Sequence, residues 1–468
     1  MKRAILTSRL LASTTAVVSA VLLWQAAPTA HAGGGPLCGS PETVRAILSE
    51  NPEVAKTSIA TLRAFGQPGM EAIFAVHHAG IAALSEAYLQ GKLLTPEQQR
   101  LGAALDAVAQ QHNAFTSRLF WYTDLDAAKS MASATGKPIL SLRLLGKLTD
   151  EYSCANSRFF RTILYANEAV SKQLRENYVL HWESVRPVPK VTIDFGDGRT
   201  LERTLTGNSI HYVLDAEGRV IDGIPGLVGP GAFMAGIEAA RETEKALQGK
   251  PEEARTAALL QYHQERLAKT LNRWAGELQA HGARVTPLDL IGASLGELVA
   301  RQSALAAMTD DAQWRNLAAQ RLDESKLDVA SWRLIAAQHR TTAGLPARQL
   351  AQGAPAHQGK AVRAEAAARM AIGKSIVEDP LLRLTRATEK AITADTARNE
   401  YLLHTQLHAW FAGGTAPAEL AELNERVYAE LFLTPSSDPW LGLAPADAYS
   451  ALERDGRSEP LIGSAKQP

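Results

Sequence analysis

A thiol in a short polar run, a row of one carboxylate and two imidazoles, and a serine between glycines are the residues of this 468-residue chain whose types and spacing could do chemistry. The chain has two cysteines, Cys38 and Cys154. Cys154 opens Cys154-Ala155-Asn156-Ser157, and a helix is expected after Ser153. A thiol at a helix N-terminus faces unpaired N–H groups and the positive end of the helix dipole, which both favour thiolate. With Arg158 one turn along and Arg186 at the carboxyl end of a neighbouring strand, such a thiolate could attack a disulfide and form a mixed disulfide. Two other fates stay open: a structural disulfide with Cys38, or a small buried apolar side chain.

Glu400, His404 and His408 stand at i, i+4 and i+8 of one predicted helix, so they share a face and could share a metal ion. Thr405 occupies the place of the catalytic acid in H-E-x-x-H, which excludes that protease motif. Leu403, Leu407 and Trp410 mark the core face of the same helix, leaving the histidine row at its border, where hydrogen-bonded interface histidines are the alternative. Gly292-Ala293-Ser294-Leu295-Gly296 matches G-x-S-x-G, with Asp310 and His339 downstream. That motif needs a strand before the serine, whereas Thr286-Pro287-Leu288-Asp289 reads as the start of a helix running through it. The glycines are therefore read as helix-packing positions. His77 falls on an apolar stripe and reads as a core or cap histidine. Gly373-Lys374-Ser375 has Ala368 where a phosphate loop needs glycine, and Asp194-Phe195-Gly196 reads as a hairpin turn.

The elements that must position these residues follow from spacing and punctuation. Ser40-Pro41 and Thr95-Pro96 read as helix starts, and Met70, Ile73, Phe74, His77, Ile81, Leu84 and Tyr88 form one long helical stripe. Asp124 begins a short helix ending at Gly136. Ile139 to Leu145 is a buried strand and Tyr178 to Val185 a second. Val191 to Leu205 is a hairpin turning at Gly196-Asp197-Gly198, Ile210 to Leu214 and Arg219 to Ile224 make another, and a helix with Phe233 and Ile237 follows. From Pro251 onward the chain is rich in Ala, Leu, Arg and Glu at helical spacing.

This order, with Asp126-Ala127-Ala128-Lys129 leading to Gly136-Lys137-Pro138-Ile139-Leu140, and Tyr212-Val213-Leu214-Asp215, Gly218 and Pro225-Gly226 later, resembles exported members of the thioredoxin-like superfamily. The resemblance spans residues 119–245, and the residues beyond 250 resemble no family. It implies an α/β domain with a mixed sheet flanked by helices, set in a mainly helical multidomain chain. It also places Cys154 where the family has its redox motif. Ser157 replaces the resolving cysteine of C-x-x-C, and Ser209, after Asn208, replaces the proline that shapes the family's substrate groove.

Lys2, Arg3 and Arg9, the apolar run Leu10 to Trp24 and Ala30-His31-Ala32 read as a signal peptide cleaved after Ala32. The apolar run is shorter than the ~20 residues a spanning helix needs. The chain thus reads as an exported protein, periplasmic or extracellular, without a membrane span after cleavage. Its expected segments are the leader 1–32, a helical region 33–118, the α/β domain 119–245, a helical domain 250–455 and a loose tail 456–468. Lys+Arg and Asp+Glu are 49 each, so the surface lacks the basic field that nucleic acid or an anionic membrane requires. Two cysteines exclude a disulfide-rich scaffold, and no cofactor motif is read. The two motif departures favour a non-catalytic binding or scaffold protein whose partner is another exported protein. A monothiol redox protein using Cys154 and a metal-binding protein using Glu400, His404 and His408 are the alternatives.

Overall fold

Caps and prolines set the N-terminal helices of the computed structural model. It describes residues 39–280, 282, 284–291, 321–343, 384, 387–441, 443 and 451–452. The leader, Cys38, the 292–296 motif with Asp310, Gly373-Lys374-Ser375 and the 456–468 tail lie outside the described residues. Helix α1 (Pro41–Ala46) starts where Ser40 Oγ accepts the Thr43 N–H at 3.1 Å. Helices α2 (Pro52–Ala64), α3 (Gln67–Val76), α4 (His78–Gln90) and α5 (Pro96–Ala109) follow, the last with a reciprocal capping box between Thr95 and Gln98. The stripe from Met70 to Tyr88 is not one helix. The chain bends by 86° at His77, whose Nε2 bonds the Val44 carbonyl at 3.0 Å. The bend folds α3 and α4 around one core with Val44, Leu62, Leu101 and Val108. No single helix among the described residues is long and apolar enough to cross a membrane.

Helix α6 (Leu125–Thr135) is capped by Asp124 and ends on Gly136 at φ 67°. Strand β1 (Ile139–Leu145) pairs in parallel with β2 (Val179–Arg186). Between them run α7 (Ala155–Phe159), a π turn over Phe160–Leu164 and α8 (Glu168–Asn177). The hairpin β3 (Lys190–Asp194) and β4 (Thr200–Thr204) forms its own two-stranded sheet. Strand β5 (Ser209–Leu214) then runs antiparallel to β1, β6 (Val220–Pro225) antiparallel to β5, and α9 (Pro230–Leu247) follows. The resulting mixed sheet has the order β2-β1-β5-β6.

Every residue of β1 is buried, as expected for a strand covered on both faces. Leu140, Leu142 and Leu144 share a core with Phe160, Leu174, Phe233 and Ile237. Ile139 shares the other with Ala128, Ala132, Tyr212 and Leu214, and with Leu407, Trp410, Leu423 and Val427 from far downstream. These last come from α13 (Thr405–Ala412), α14 (Leu420–Arg426) and the turn after it, which come after α10 (Glu252–Ala280), α11 (Pro287–Ile291) and α12 (Val329–Ala343). The C-terminal helices therefore complete the core of the α/β sheet, and α10 packs against α13.

Candidate functional site

Cys154 follows β1 and caps α7. Its Sγ accepts the Ser157 N–H at 3.4 Å, its side chain is 0% exposed, and it belongs to the core that holds Phe160, Tyr165 and Tyr428. Burial pushes the thiol up, and the Ser157 amide offsets only part of that. The helix-terminus effect that favours thiolate is outweighed here by burial. The local helix is five residues long and passes into a π turn, and the sulfur is out of water. Among the described residues Cys154 has no disulfide partner, and Cys38 lies outside them.

The residues expected around it are engaged with each other. Ser157 Oγ donates to Ser153 Oγ at 2.7 Å, and Asn156 Nδ2 donates to Ser209 Oγ at 2.9 Å, both contacts buried. Arg158 Nη1 donates to the Ser153 carbonyl and to Thr204 Oγ1, each at 2.6 Å. Asn208 Nδ2 donates to Thr434 Oγ1 at 3.1 Å, and Tyr428 Oη donates to the Asn208 carbonyl at 3.3 Å. Arg186 donates to the carbonyls of Thr434 and Pro435. A C-terminal strap thus lies over Asn208 and Arg186, the side of the site that the sequence assigns to a substrate groove.

A second cluster is assembled at the edge strand β6. Helical residues 387–398 lead into a π turn over Asn399–His404 and then into α13. Glu400 does not join the histidines in this turn. Its carboxylate sits between Arg273 and Arg321, with Arg273 Nη2 at 2.5 Å. Asp222 stands in its place. Its Oδ1 is 3.1 Å from His404 Nε2 and 3.9 Å from His408 Nδ1. His408 Nδ1 in turn faces His263 Nδ1 at 2.8 Å. Tyr262 Oη donates to Asp222 Oδ2 at 2.6 Å, and the Gly223 N–H donates to Oδ1 at 2.7 Å. Asp222, His263, His404 and His408 are all buried, so the histidines belong to the core and not to its border.

Burial works against the charge on Asp222, but the imidazoles of His408 and His404 outweigh it and hold the carboxyl well below its usual range. Burial holds His408 well below the ordinary imidazole range and His263 down to about 4. The cluster sets a buried carboxylate beside three imidazoles, a donor set suited to a cation. A cavity of about 100 Å³ reaches it at His404, lined also by Arg266, Lys269, Thr270, Arg273 and Glu400.

Asp222, Tyr262 and His263 were not singled out by sequence reasoning. The signal for Asp222 is a carboxylate inside the otherwise apolar run Val220–Pro225, which no turn explains. His263 lies mid-helix in a mostly polar stretch and carries no such signal. Comparison of the chain with protein-family models, with curated proteins and with solved structures gives no match.

Proposed function

We propose that residues 119–245 are a thioredoxin-like domain whose redox position has become structural, and that the protein is an exported, non-catalytic binding or scaffold protein. The strand order β2-β1-β5-β6, with the thiol at the start of the helix that follows β1, supports the domain reading. The observation that carries the non-catalytic reading is the burial of Cys154 at 0% exposure while Thr434 and Pro435 cover Arg186 and Asn208. Disulfide exchange needs a thiolate and an open line of approach to it. A buried thiol with a raised pKa offers neither.

The β3–β4 hairpin supplies a surface for a partner. Alternation places Val191, Ile193 and Phe195 on the same face as Leu201 and Leu205. Ile193 is 46%, Phe195 54% and Leu205 37% exposed. Arg199 and Arg203 share this face, and exposed apolar side chains beside arginines suit a contact with another protein.

The test compares wild type with Cys154→Ala in thiol–disulfide exchange with an oxidised peptide, and in trapping of mixed disulfides. The reading predicts equal, background rates for both. Exchange that depends on Cys154 would establish the monothiol alternative.

A further inference from the structure

We propose that Asp222, His404 and His408 bind a divalent first-row transition metal of the zinc class, with His263 beside the ion. Their ligand atoms all lie within 4.8 Å of one another, and all three side chains are buried. A tetrahedral zinc ion with bonds of about 2.0–2.1 Å places its ligand atoms about 3.3 Å apart. The distances here, 3.1 Å from Asp222 to His404, 3.9 Å from Asp222 to His408 and 2.8 Å from His408 to His263, bracket that value.

His263 and His408 present Nδ1 to each other at 2.8 Å, so at least one of these nitrogens carries no proton and is a potential ligand atom. Asp222 is steadied from behind by Tyr262 and by the Gly223 amide, the kind of support that orients a ligating carboxylate. The π turn over Asn399–His404 interrupts the helix at the residue that supplies Nε2, a distortion that recurs at functional sites. Taking a carboxylate and imidazoles out of water is costly without a compensating charge. Two imidazole nitrogens and one carboxylate oxygen suit Zn²⁺ better than Mg²⁺ or Ca²⁺, which prefer oxygen. The cavity beside His404 is lined by Arg266, Lys269 and Arg273, which would favour a small anion as a further ligand.

The proposal is tested on the full exported chain, stripped with a chelator and titrated with Zn²⁺ against a chromophoric competitor. One ion per chain is expected, with affinity lowered about 100-fold or more in His404→Ala and in His408→Ala. Glu400→Gln should keep the stoichiometry, since Glu400 is held by Arg273 and Arg321. Because a variant of a buried residue can fail to fold, wild type is also loaded with Co²⁺. Tetrahedral bands without a thiolate charge-transfer band are expected. Absence of a stoichiometric ion in wild type, or a thiolate band placing the ion on cysteine, would overturn the assignment.

Discussion

The amide of Ser157 donates to the sulfur of Cys154 across 3.4 Å, and both residues are wholly buried. The thiol thus does the work of a helix-capping oxygen from inside the core. Cys154→Ala removes the cap and leaves a small void, and should lower stability by about 1–2 kcal/mol in urea unfolding. A variant as stable as wild type would show that the sulfur contributes nothing structural.

Arg186 binds the carbonyls of Thr434 and Pro435 from the end of β2. Charge-assisted hydrogen bonds of this kind contribute about 1.5–3 kcal/mol. Arg186→Ala should loosen the strap, and Cys154 should then react with a maleimide faster than in wild type under native conditions. An unchanged rate would mean that the strap does not guard the thiol.

Arg255 of α10 reaches Asp215 at 2.7 Å, with side chains 8% and 4% exposed. This buried pair ties the β5–β6 turn to the long helix. Asp215→Asn leaves a guanidinium buried beside a neutral amide and should cost about 3 kcal/mol. A midpoint change in urea worth less than about 1 kcal/mol would contradict the assignment.

His112 lies between Asp106 at 3.3 Å and Glu151 at 2.7 Å. Burial disfavours its charge, but hydrogen bonds to the two carboxylates prevail and push the imidazole up to about 9. The unfolded chain titrates near the ordinary value of about 6.5, so the folded pKa is the higher one. The stabilisation is full below about pH 6.5 and is lost as pH rises toward about 9. Glu151 is mostly exposed, so screening reduces the contribution to about 2 kcal/mol. Wild type should be more stable than His112→Gln at about pH 6, and the gap should close by about pH 9.5. A gap that stays constant across the window would remove His112 from the account.

Ile193→Asp with Phe195→Asp places charge on the exposed face of the β3–β4 hairpin. Stability should stay within about 0.5 kcal/mol of wild type. Crosslinking of wild type to the proposed partner should be lost in the double variant. Crosslinking that survives at wild-type yield would place the partner elsewhere.

Local chemistry was legible where local chemistry decides. Ser40, Thr95 and Asp124 mark helix starts because a side-chain oxygen there satisfies free amides, and the apolar run at Ile139 marks a strand covered on both faces. The bend at His77 is not legible, because the apolar stripe runs unbroken through it and the carbonyl its ring binds, Val44, is 33 residues away. The helix terminus after Ser153 favours an acidic thiol at Cys154, but the sequence leaves a buried apolar role equally open. Its burial depends on core neighbours that include Tyr428, from the far end of the chain. The spacing of Glu400, His404 and His408 shows a shared row on an unbroken helix; it cannot show the π turn over Asn399–His404 or the carboxylate of Asp222, 182 residues from His404.

The central claim is that Cys154 is structural. Its most direct test is the rate of maleimide labelling at Cys154, read by peptide mass so that Cys38 is scored separately, in native protein near neutral pH and across a urea titration. The account predicts labelling that follows global unfolding, slow in the native state and rising through the unfolding midpoint. Prompt labelling in native protein, at the rate of an unhindered thiol, would contradict it.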